Sequence, residues 1–280
     1  MTKTFTCLYH FLVLSWYIFL NYYIAQDETD EMKSKIFANG GKWKYVTLLN
    51  MLLQTIFYGV ACLDDVLKRI RGRKDMTFLT AFRDLLFTTL AFPISTFVFL
   101  AFWMLFLYNR DLVYPETLDT VIPAWLNHAM HTFILPITLT EVILRPHSYP
   151  SKKTGLTLLA AGSIAYVSRI LWIYLETGTW VYPLLAKLSP VGLAAFFSLS
   201  YIFIASIYLL GEKLNHWKWG QCISLLATDA LLLYLPLHFT WKQKEKLAPN
   251  RSSDAYCLCS KDSDSPAKAE KRRALGVGHS

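Results

Sequence analysis

The sequence predicts an all-α protein, a polytopic bundle of six transmembrane helices followed by a seventh apolar segment. Of its 280 residues, 54% are hydrophobic and only 17% are charged, whereas a water-soluble domain usually carries about 25% charged residues. Stretches of about 20 apolar residues, the length that crosses a bilayer as a helix, recur along the chain. Lipid contacts the outside of a bundle, so this excess of apolar residues indicates a membrane protein.

The predicted spans are separated by polar loops, and aromatic residues crowd their ends. Trp43 and Tyr45 open the second span, while Trp180 and Tyr182 follow the fifth. Such residues are typical of the interface between the hydrocarbon core and water. The spans are expected at residues 5–24, 43–63, 85–107, 124–144, 155–174 and 191–210.

The distribution of lysine and arginine predicts the orientation. Basic residues are dense at 68–83, 145–153 and 213–218, whereas the loops at the other ends of the spans contain few or mix them with acids. The positive-inside rule therefore places the N-terminus in the cytosol. We expect the plasma membrane, with the endoplasmic reticulum as the alternative. The net charge of +8 then reflects topology and anionic lipid headgroups, and no nucleic-acid partner is predicted.

The chain beyond residue 219 allows two interpretations. Residues 222–240 are apolar, but Asp229 lies in the middle of the run, and a central acid costs about 2.5–3.5 kcal/mol on insertion scales. This segment either spans the membrane or lies at its interface, and the short linker before it favours the second slightly. The predicted parts are a six-span domain at 1–219, an extra apolar segment at 220–241 and a disordered polar tail at 242–280.

Polar side chains inside two of the spans need a reason, because they are expensive to place in lipid. In each span they fall largely on one helical face, which we expect to point into the bundle. They are Thr47, Asn50, Gln54 and Tyr58 in the second span, and Asn127, His128, His131, Thr138 and Glu141 in the fourth.

Depth brings three of the polar groups into one layer. Thr47, His131 and Arg169 lie about 6, 10 and 7 Å from the outer ends of their spans, at about 1.5 Å per residue. Histidine is the usual base for a hydroxyl nucleophile, so a Thr47–His131 pair is one hypothesis. Two plainer alternatives stay open: a helical threonine often bonds its own i−4 carbonyl, and histidines often join helices.

Metal and cofactor chemistry have less support. His128 and His131 are three residues apart, whereas the HExxH zinc motif needs four and a glutamate between. Glu141 lies nearly three turns away, so a third ligand would have to come from another span. The sequence contains no P-loop, no Gly-x-Ser-x-Gly elbow and no dinucleotide fingerprint in context. We therefore predict no metal and no cofactor.

Four separated stretches resemble the androgen-induced protein family. They are GGKWKYVT at 40–47, WLNHAMHT at 125–132, SYPSKKTGLT at 148–157 and TGTWVYP at 177–183. The resemblance covers about residues 1–219, and the chain departs from the family pattern after Trp219. It implies a multi-pass membrane threonine hydrolase that cleaves fatty acid esters of hydroxy fatty acids. The family's nucleophile corresponds to Thr47 and its histidine to His131.

Two functions are thus expected from the sequence. In the first, Thr47 attacks a lipid ester, His131 takes its proton, and Asn50 or Asn127 supplies an oxyanion donor. The shared layer gives Arg169 the role of holding the substrate carboxylate, and His128 is expected to have a lesser, supporting role. The second is a non-enzymatic membrane scaffold that regulates a membrane-associated coagulation inhibitor.

Overall fold

A computed structural model describes residues 2–26, 41–70 and 77–234, and this part of the chain is helical with no strand. The chain divides into two units, Met1–Lys218 and Trp219–Ser280, and the bundle belongs to the first. The helices are α1 (Thr2–Gln26), α2 (Val46–Ile70), α3 (Thr77–Leu86), α4 (Phe92–Asn109), α5 (Ala124–His131), α6 (Ile134–Leu144), α7 (Lys152–Thr177), α8 (Pro183–Ala186) and α9 (Pro190–Tyr234).

Five of the described helical stretches are long and apolar enough to cross a membrane. They are Thr4–Gln26, Val46–Ile70, Thr77–Leu112, Lys152–Thr177 and Pro190–Gly220. The third is continuous because a π-helical turn, Phe87–Ala91, joins α3 to α4. The predicted all-α transmembrane bundle is confirmed.

The expected span at 124–144 differs from the prediction because it is two helices. The backbone N–H groups of Thr132 and Phe133 both donate to the carbonyl of His128, at 2.8 and 3.0 Å, and the helical ladder stops there. Helix α6 then restarts with Pro136 in its first turn, where a missing N–H costs no hydrogen bond. The break leaves His131 as the last residue of α5.

The helix that contains the predicted sixth span also includes the first part of the predicted extra apolar segment. Helix α9 continues without a break from the predicted sixth span through Tyr234. Residues 235–240 and the predicted disordered tail at 242–280 lie outside the described residues.

The core of the bundle forms where α1 packs along α2. Tyr17 and Leu20 on α1 meet Met51 and Tyr58 on α2, and all four side chains are fully buried. The rings of Tyr17 and Tyr58 stack at 5.9 Å. In lipid such close van der Waals packing is a main source of helix association, so this pair fixes α2 in the bundle.

A buried ionic cluster joins the helices at the far end of α2. Its members come from α1, α2, α3, α6 and the segment after α6: His10, Asp64, Asp65, Lys68, Arg83, Asp84, Glu141, Arg145 and His147. Asp64 is fully buried and accepts hydrogen bonds from Lys68 at 2.8 Å, from Arg145 at 3.1 Å and from Arg83. Buried charges persist only when they are paired in this way, so the cluster is part of the fold.

Candidate active site

Thr47 lies in the first turn of α2, at the end of the helix remote from the ionic cluster. The chain enters through Gly41, whose φ of 69° favours glycine, and a short 3-10 turn at Lys42–Lys44. Tyr45 is extended and separates that turn from the helix. The fold thus places the Thr47 hydroxyl at the start of a helix, where a side chain from another helix can approach it.

The partner of the Thr47 hydroxyl is His131, with 3.2 Å between Oγ1 and Nε2. Threonines elsewhere in the bundle behave differently: Thr55 and Thr96 each donate to their own i−4 carbonyl, both at 2.9 Å. That ordinary arrangement was the plainer alternative for Thr47. The structure brings together the two residues that the sequence placed in one layer.

The hydrogen bonds of His131 define its tautomer. Nδ1 lies 3.1 Å from the backbone carbonyl oxygen of Asn127 and 2.8 Å from the side-chain oxygen of the same residue. Both are acceptors, so Nδ1 carries the proton and donates it. Nε2 therefore presents a lone pair to Thr47, which is the arrangement that a general base requires.

Stacking and burial hold the imidazole in place. The rings of His131 and Phe102 are nearly parallel, with centroids 3.6 Å apart and an interplanar angle of 10°. His131 is 6% exposed and Phe102 is 5% exposed. The ring can therefore not swing away from Thr47 without displacing Phe102.

A chain of hydrogen bonds holds the first turn of α2. The Val46 N–H donates to the Tyr182 hydroxyl at 3.1 Å, and the Tyr166 hydroxyl donates to the Lys44 carbonyl at 3.1 Å. The two hydroxyls lie 3.0 Å apart, and since Tyr166 has used its proton, Tyr182 donates to it. Burial raises the pKa of Tyr182, so its hydroxyl stays protonated and the chain stays complete. These hydrogen bonds therefore fix the backbone at Val46, the residue that precedes Thr47.

Thr47 and His131 face a cavity of about 300 Å³, at the low end of the range for ligand sites. Helices α2, α4, α5, α7 and α9 line it, together with the segments at 112–122 and 182–185. Among the described residues that form its wall, none is Asp, Glu, Lys or Arg. The cavity therefore suits a hydrocarbon ligand that carries one uncharged reactive group.

The predicted residues Asn50, Asn127 and Arg169 lie at different places relative to the cavity. Asn127 is buried and holds His131, whereas Asn50 is buried deeper, where its side-chain oxygen accepts from Gln54 at 3.3 Å and from Ser95 at 3.1 Å. Neither is among the residues that line the cavity. Arg169 lies on the exposed face of α7 and does not line the cavity either. The structure does not bring it to the pair, and the expected carboxylate contact has no geometric support.

His128 points away from the reactive pair. Its side chain is exposed, its Nδ1 lies 2.9 Å from the Thr132 hydroxyl, and its ring stacks on Trp103 at 5.7 Å. Two histidines that face different partners do not form a shared metal site, which removes the geometric basis for the zinc hypothesis at this pair.

We expect His128→Ala to lower ester hydrolysis by less than about tenfold, well below the factor of 10²–10⁴ typical for loss of a general base at His131. His128 has a hydrogen-bond contact with Thr132 and a ring contact with Trp103, both away from Thr47, so its loss disturbs α5 locally. The measurement is kcat for both purified variants on one lipid ester. Equal losses, with recovery on added zinc, would favour a metal site instead.

Three residues of the site escaped the sequence analysis: Phe102, Tyr166 and Tyr182. Phe102 lies in a uniformly apolar span and carries no local signal. Tyr182 was within reach, because it belongs to the TGTWVYP stretch, but it was assigned to the interfacial aromatic belt. Its hydrogen bond to Val46 depends on how the loop after α7 folds back.

Comparisons with known proteins agree with the resemblance carried by the four stretches. The family model described as FAR-17a/AIG1-like protein matches residues 5–216. The chain is 83% identical over 221 residues to the androgen-dependent TFPI-regulating protein of Homo sapiens, which covers 79% of this chain and 96% of the relative. The corresponding protein of Rattus norvegicus is 67% identical over 223 residues, or 80% of this chain and 97% of the relative.

A more distant relative is the androgen-induced gene 1 protein of Homo sapiens. It is 38% identical over 187 residues, which are 64% of this chain and 79% of the relative. No solved structure matches. The family resemblance predicted from the sequence is confirmed.

Proposed function

This chain belongs to the FAR-17a/AIG1-like family of membrane proteins, and we propose that it is an intramembrane hydrolase of lipid esters with Thr47 as nucleophile and His131 as base. One observation carries the proposal: the Thr47 hydroxyl lies 3.2 Å from Nε2 of His131, whose Nδ1 proton is held by Asn127. Nucleophile, base and a residue that orients the base form the arrangement of nucleophilic catalysis. Its substrates are fatty acid esters of hydroxy fatty acids, as the family resemblance implies.

The first half of the reaction forms an acyl-enzyme. Oγ1 of Thr47 attacks the ester carbonyl carbon while its proton passes to Nε2 of His131, and the carbonyl electrons move onto oxygen. The Nδ1–H···O contact to Asn127 stabilises the imidazolium that results. When the tetrahedral intermediate collapses, Nε2 returns the proton to the leaving hydroxyl of the hydroxy fatty acid, and the acyl group stays on Thr47.

The second half releases the fatty acid. A water molecule gives its proton to Nε2 of His131 and attacks the acyl carbon. The proton then returns to Oγ1 of Thr47 as the acyl–oxygen bond breaks. The same imidazole therefore serves both halves, and the Nδ1 hydrogen bond keeps it in one orientation throughout.

The backbone N–H groups at the start of α2 are the most suitable hydrogen-bond donors for the oxyanion. The N–H groups of the first helical turn have no carbonyl one turn earlier in the helix, and the helix dipole favours negative charge there. Thr47 and Leu48 belong to that turn and line the cavity. The side chains of Asn50 and Asn127 are less suitable, because neither residue lines the cavity.

The wall of the cavity supports a lipid substrate. It offers hydrocarbon contacts and no charged side chain among its described residues, so hydrophobic chains gain from entering. The free carboxylate of the hydroxy acid stays outside this wall, because burying it there would carry a large desolvation cost. Membrane lipids surround the bundle and supply such molecules. The basic residues at 68–83, 145–153 and 213–218 remain the reason to place the N-terminus in the cytosol, and we propose the plasma membrane as the site of action.

The test is hydrolysis of a panel of lipid esters by the purified full-length protein, together with a fluorophosphonate probe that labels activated hydroxyls. We expect turnover of long-chain esters, and probe attachment at Thr47 identified by mass spectrometry. Labelling should disappear in His131→Ala, since an unassisted threonine is a weak nucleophile. Turnover without any label at Thr47, or labelling that persists in His131→Ala, would contradict the assignment.

A second candidate is a non-enzymatic membrane scaffold that regulates a coagulation inhibitor, which is suggested by the similarity to proteins described as androgen-dependent TFPI-regulating. The Thr47→Ala variant separates the two in cells. If the level of such a partner responds equally to wild-type and Thr47→Ala protein, regulation is independent of hydrolysis. If the response needs Thr47, the regulation follows from the product of the reaction.

A further inference from the structure

The cavity extends far beyond the reactive pair. Phe102, which stacks on His131, lines one part of it, and Leu90 lines another. These residues lie on one continuous helical stretch, about 18 Å apart at about 1.5 Å of rise per residue. One leaflet of a bilayer core is about 15 Å thick, half of about 30 Å. The deep arm, defined here as the part of the cavity bounded by Leu90, Ile94, Leu159 and Gly162, therefore ends about one acyl chain from Thr47.

Among the glycines of the described membrane helices, Gly162 is the one that lines the cavity. A Cβ atom at Gly155 would overlap the ring of Tyr208, so that glycine is needed for helix packing. A Cβ at Gly162 would meet only Cδ2 of Leu90, at 3.6 Å, which is an ordinary contact. Nothing in the packing or the backbone requires a glycine there, yet a glycine inside a helix costs about 1 kcal/mol relative to alanine.

What a glycine at 162 does provide is space. Gly162 is exposed and lines the deep arm beside Leu90, close enough that a Cβ at residue 162 would contact Cδ2 of Leu90. We expect a larger side chain at residue 162 to reach beyond this contact and to fill part of the deep arm. Residue 162 therefore sets how far a chain that starts at Thr47 can reach.

We propose that Gly162 is a specificity-determining residue, which keeps the deep arm open for the hydrocarbon chain of the acyl group. The proposal rests on the proposed function, because it takes Thr47 as the point of attachment. The acyl chain rather than the hydroxy acid occupies the arm for two reasons. The acyl group stays covalently on Thr47 between the two half-reactions, and the hydroxy acid carries a carboxylate that the uncharged wall of the arm would not accept.

The test compares Gly162→Leu with Ala161→Leu, which adds a leucine side chain to the same helix one residue earlier, at an exposed position outside the cavity wall. The substrates are a butyryl and a palmitoyl ester of one hydroxy fatty acid. We expect Gly162→Leu to lower the palmitoyl to butyryl ratio of kcat/KM by at least about tenfold, the scale of one misfitted methylene in an apolar pocket. Ala161→Leu should leave the ratio unchanged.

Leu90→Trp narrows the arm from the opposite wall and covers the case in which Gly162→Leu does not fold. It should shift the ratio in the same direction. An equal loss on both esters, or an unchanged ratio in a folded variant of either position, overturns the proposal.

A binding measurement separates this proposal from the catalytic one. Full-length Thr47→Ala protein is titrated with a non-hydrolysable palmitoyl ether analogue that displaces a fluorescent long-chain fatty alcohol. Binding should weaken at least tenfold when Gly162→Leu is added and stay constant when Ala161→Leu is added. If no ester is hydrolysed but binding still depends on residue 162, the catalytic proposal fails and the deep arm stands. If the affinity does not change when residue 162 is substituted, the proposal that the deep arm holds the acyl chain is wrong.

Discussion

Thr47→Ala and His131→Ala are each expected to abolish ester hydrolysis while expression and membrane insertion stay nearly unchanged. Loss of a positioned general base costs about 10²–10⁴ in rate, and loss of the nucleophile costs at least as much. Thr47 lies at a helix end beside the cavity, so truncating it removes few packing contacts, whereas His131→Ala also loses the stacking contact with Phe102 and the hydrogen bond to Asn127. The measurement is kcat of each purified variant on a long-chain ester, with the melting temperature as a check on folding.

The combination of the two variants is the sharper test. A nucleophile and its base act as one unit, so the double variant should be no slower than the slower single variant. Thr47→Ser is the matched control, since it keeps the hydroxyl and removes only a methyl group, and we expect it to retain part of the activity. Losses that multiply in the double variant would mean that the two residues act independently. Appreciable turnover by Thr47→Ala would remove it as the nucleophile.

Local signals in the sequence placed Thr47 and His131 in one layer, and the family resemblance assigned their roles as nucleophile and base. The rise per residue of a helix placed Thr47 and His131 at similar depth, and the polar face of each span was expected to point into the bundle. The same reasoning put Arg169 in that layer, but depth does not determine the direction in which a side chain leaves its helix. Arg169 points away from the cavity, and only the packing of α7 decides that.

Other features depend on contacts between distant segments. The run at 124–144 has the length of a single span, so its length does not reveal the break between α5 and α6, although Pro136 was a usable signal. The basic residues at 68–83 and 145–153 were assigned to topology by counting lysines and arginines. The pairing of some of them with acids in one buried cluster requires that α2, α3 and α6 meet, which no periodicity shows.

Asp64→Asn is expected to destabilise the bundle by about 3–5 kcal/mol, the usual cost of leaving buried charges without their partner. The substitution keeps the shape of the side chain but removes the negative charge that faces Lys68, Arg83 and Arg145. A loss of that size lowers the melting temperature by about 10 °C in a protein of this size. Asp111→Asn, an exposed acid in the loop after α4, is the matched control and should melt like the wild type.

The kcat of folded Asp64→Asn protein shows whether the ionic cluster affects catalysis or only stability. Asp64 lies on the same helix as Thr47, about 25 Å away at about 1.5 Å per residue, and no described contact of the cluster reaches the reactive pair. We therefore expect Asp64→Asn to keep the wild-type kcat below its melting temperature, because the α2 end that carries Thr47 is held separately by Tyr166 and Tyr182. An unchanged melting temperature together with a reduced kcat would contradict this expectation. The cluster would then influence the reactive pair through α2 and would not stabilise the fold.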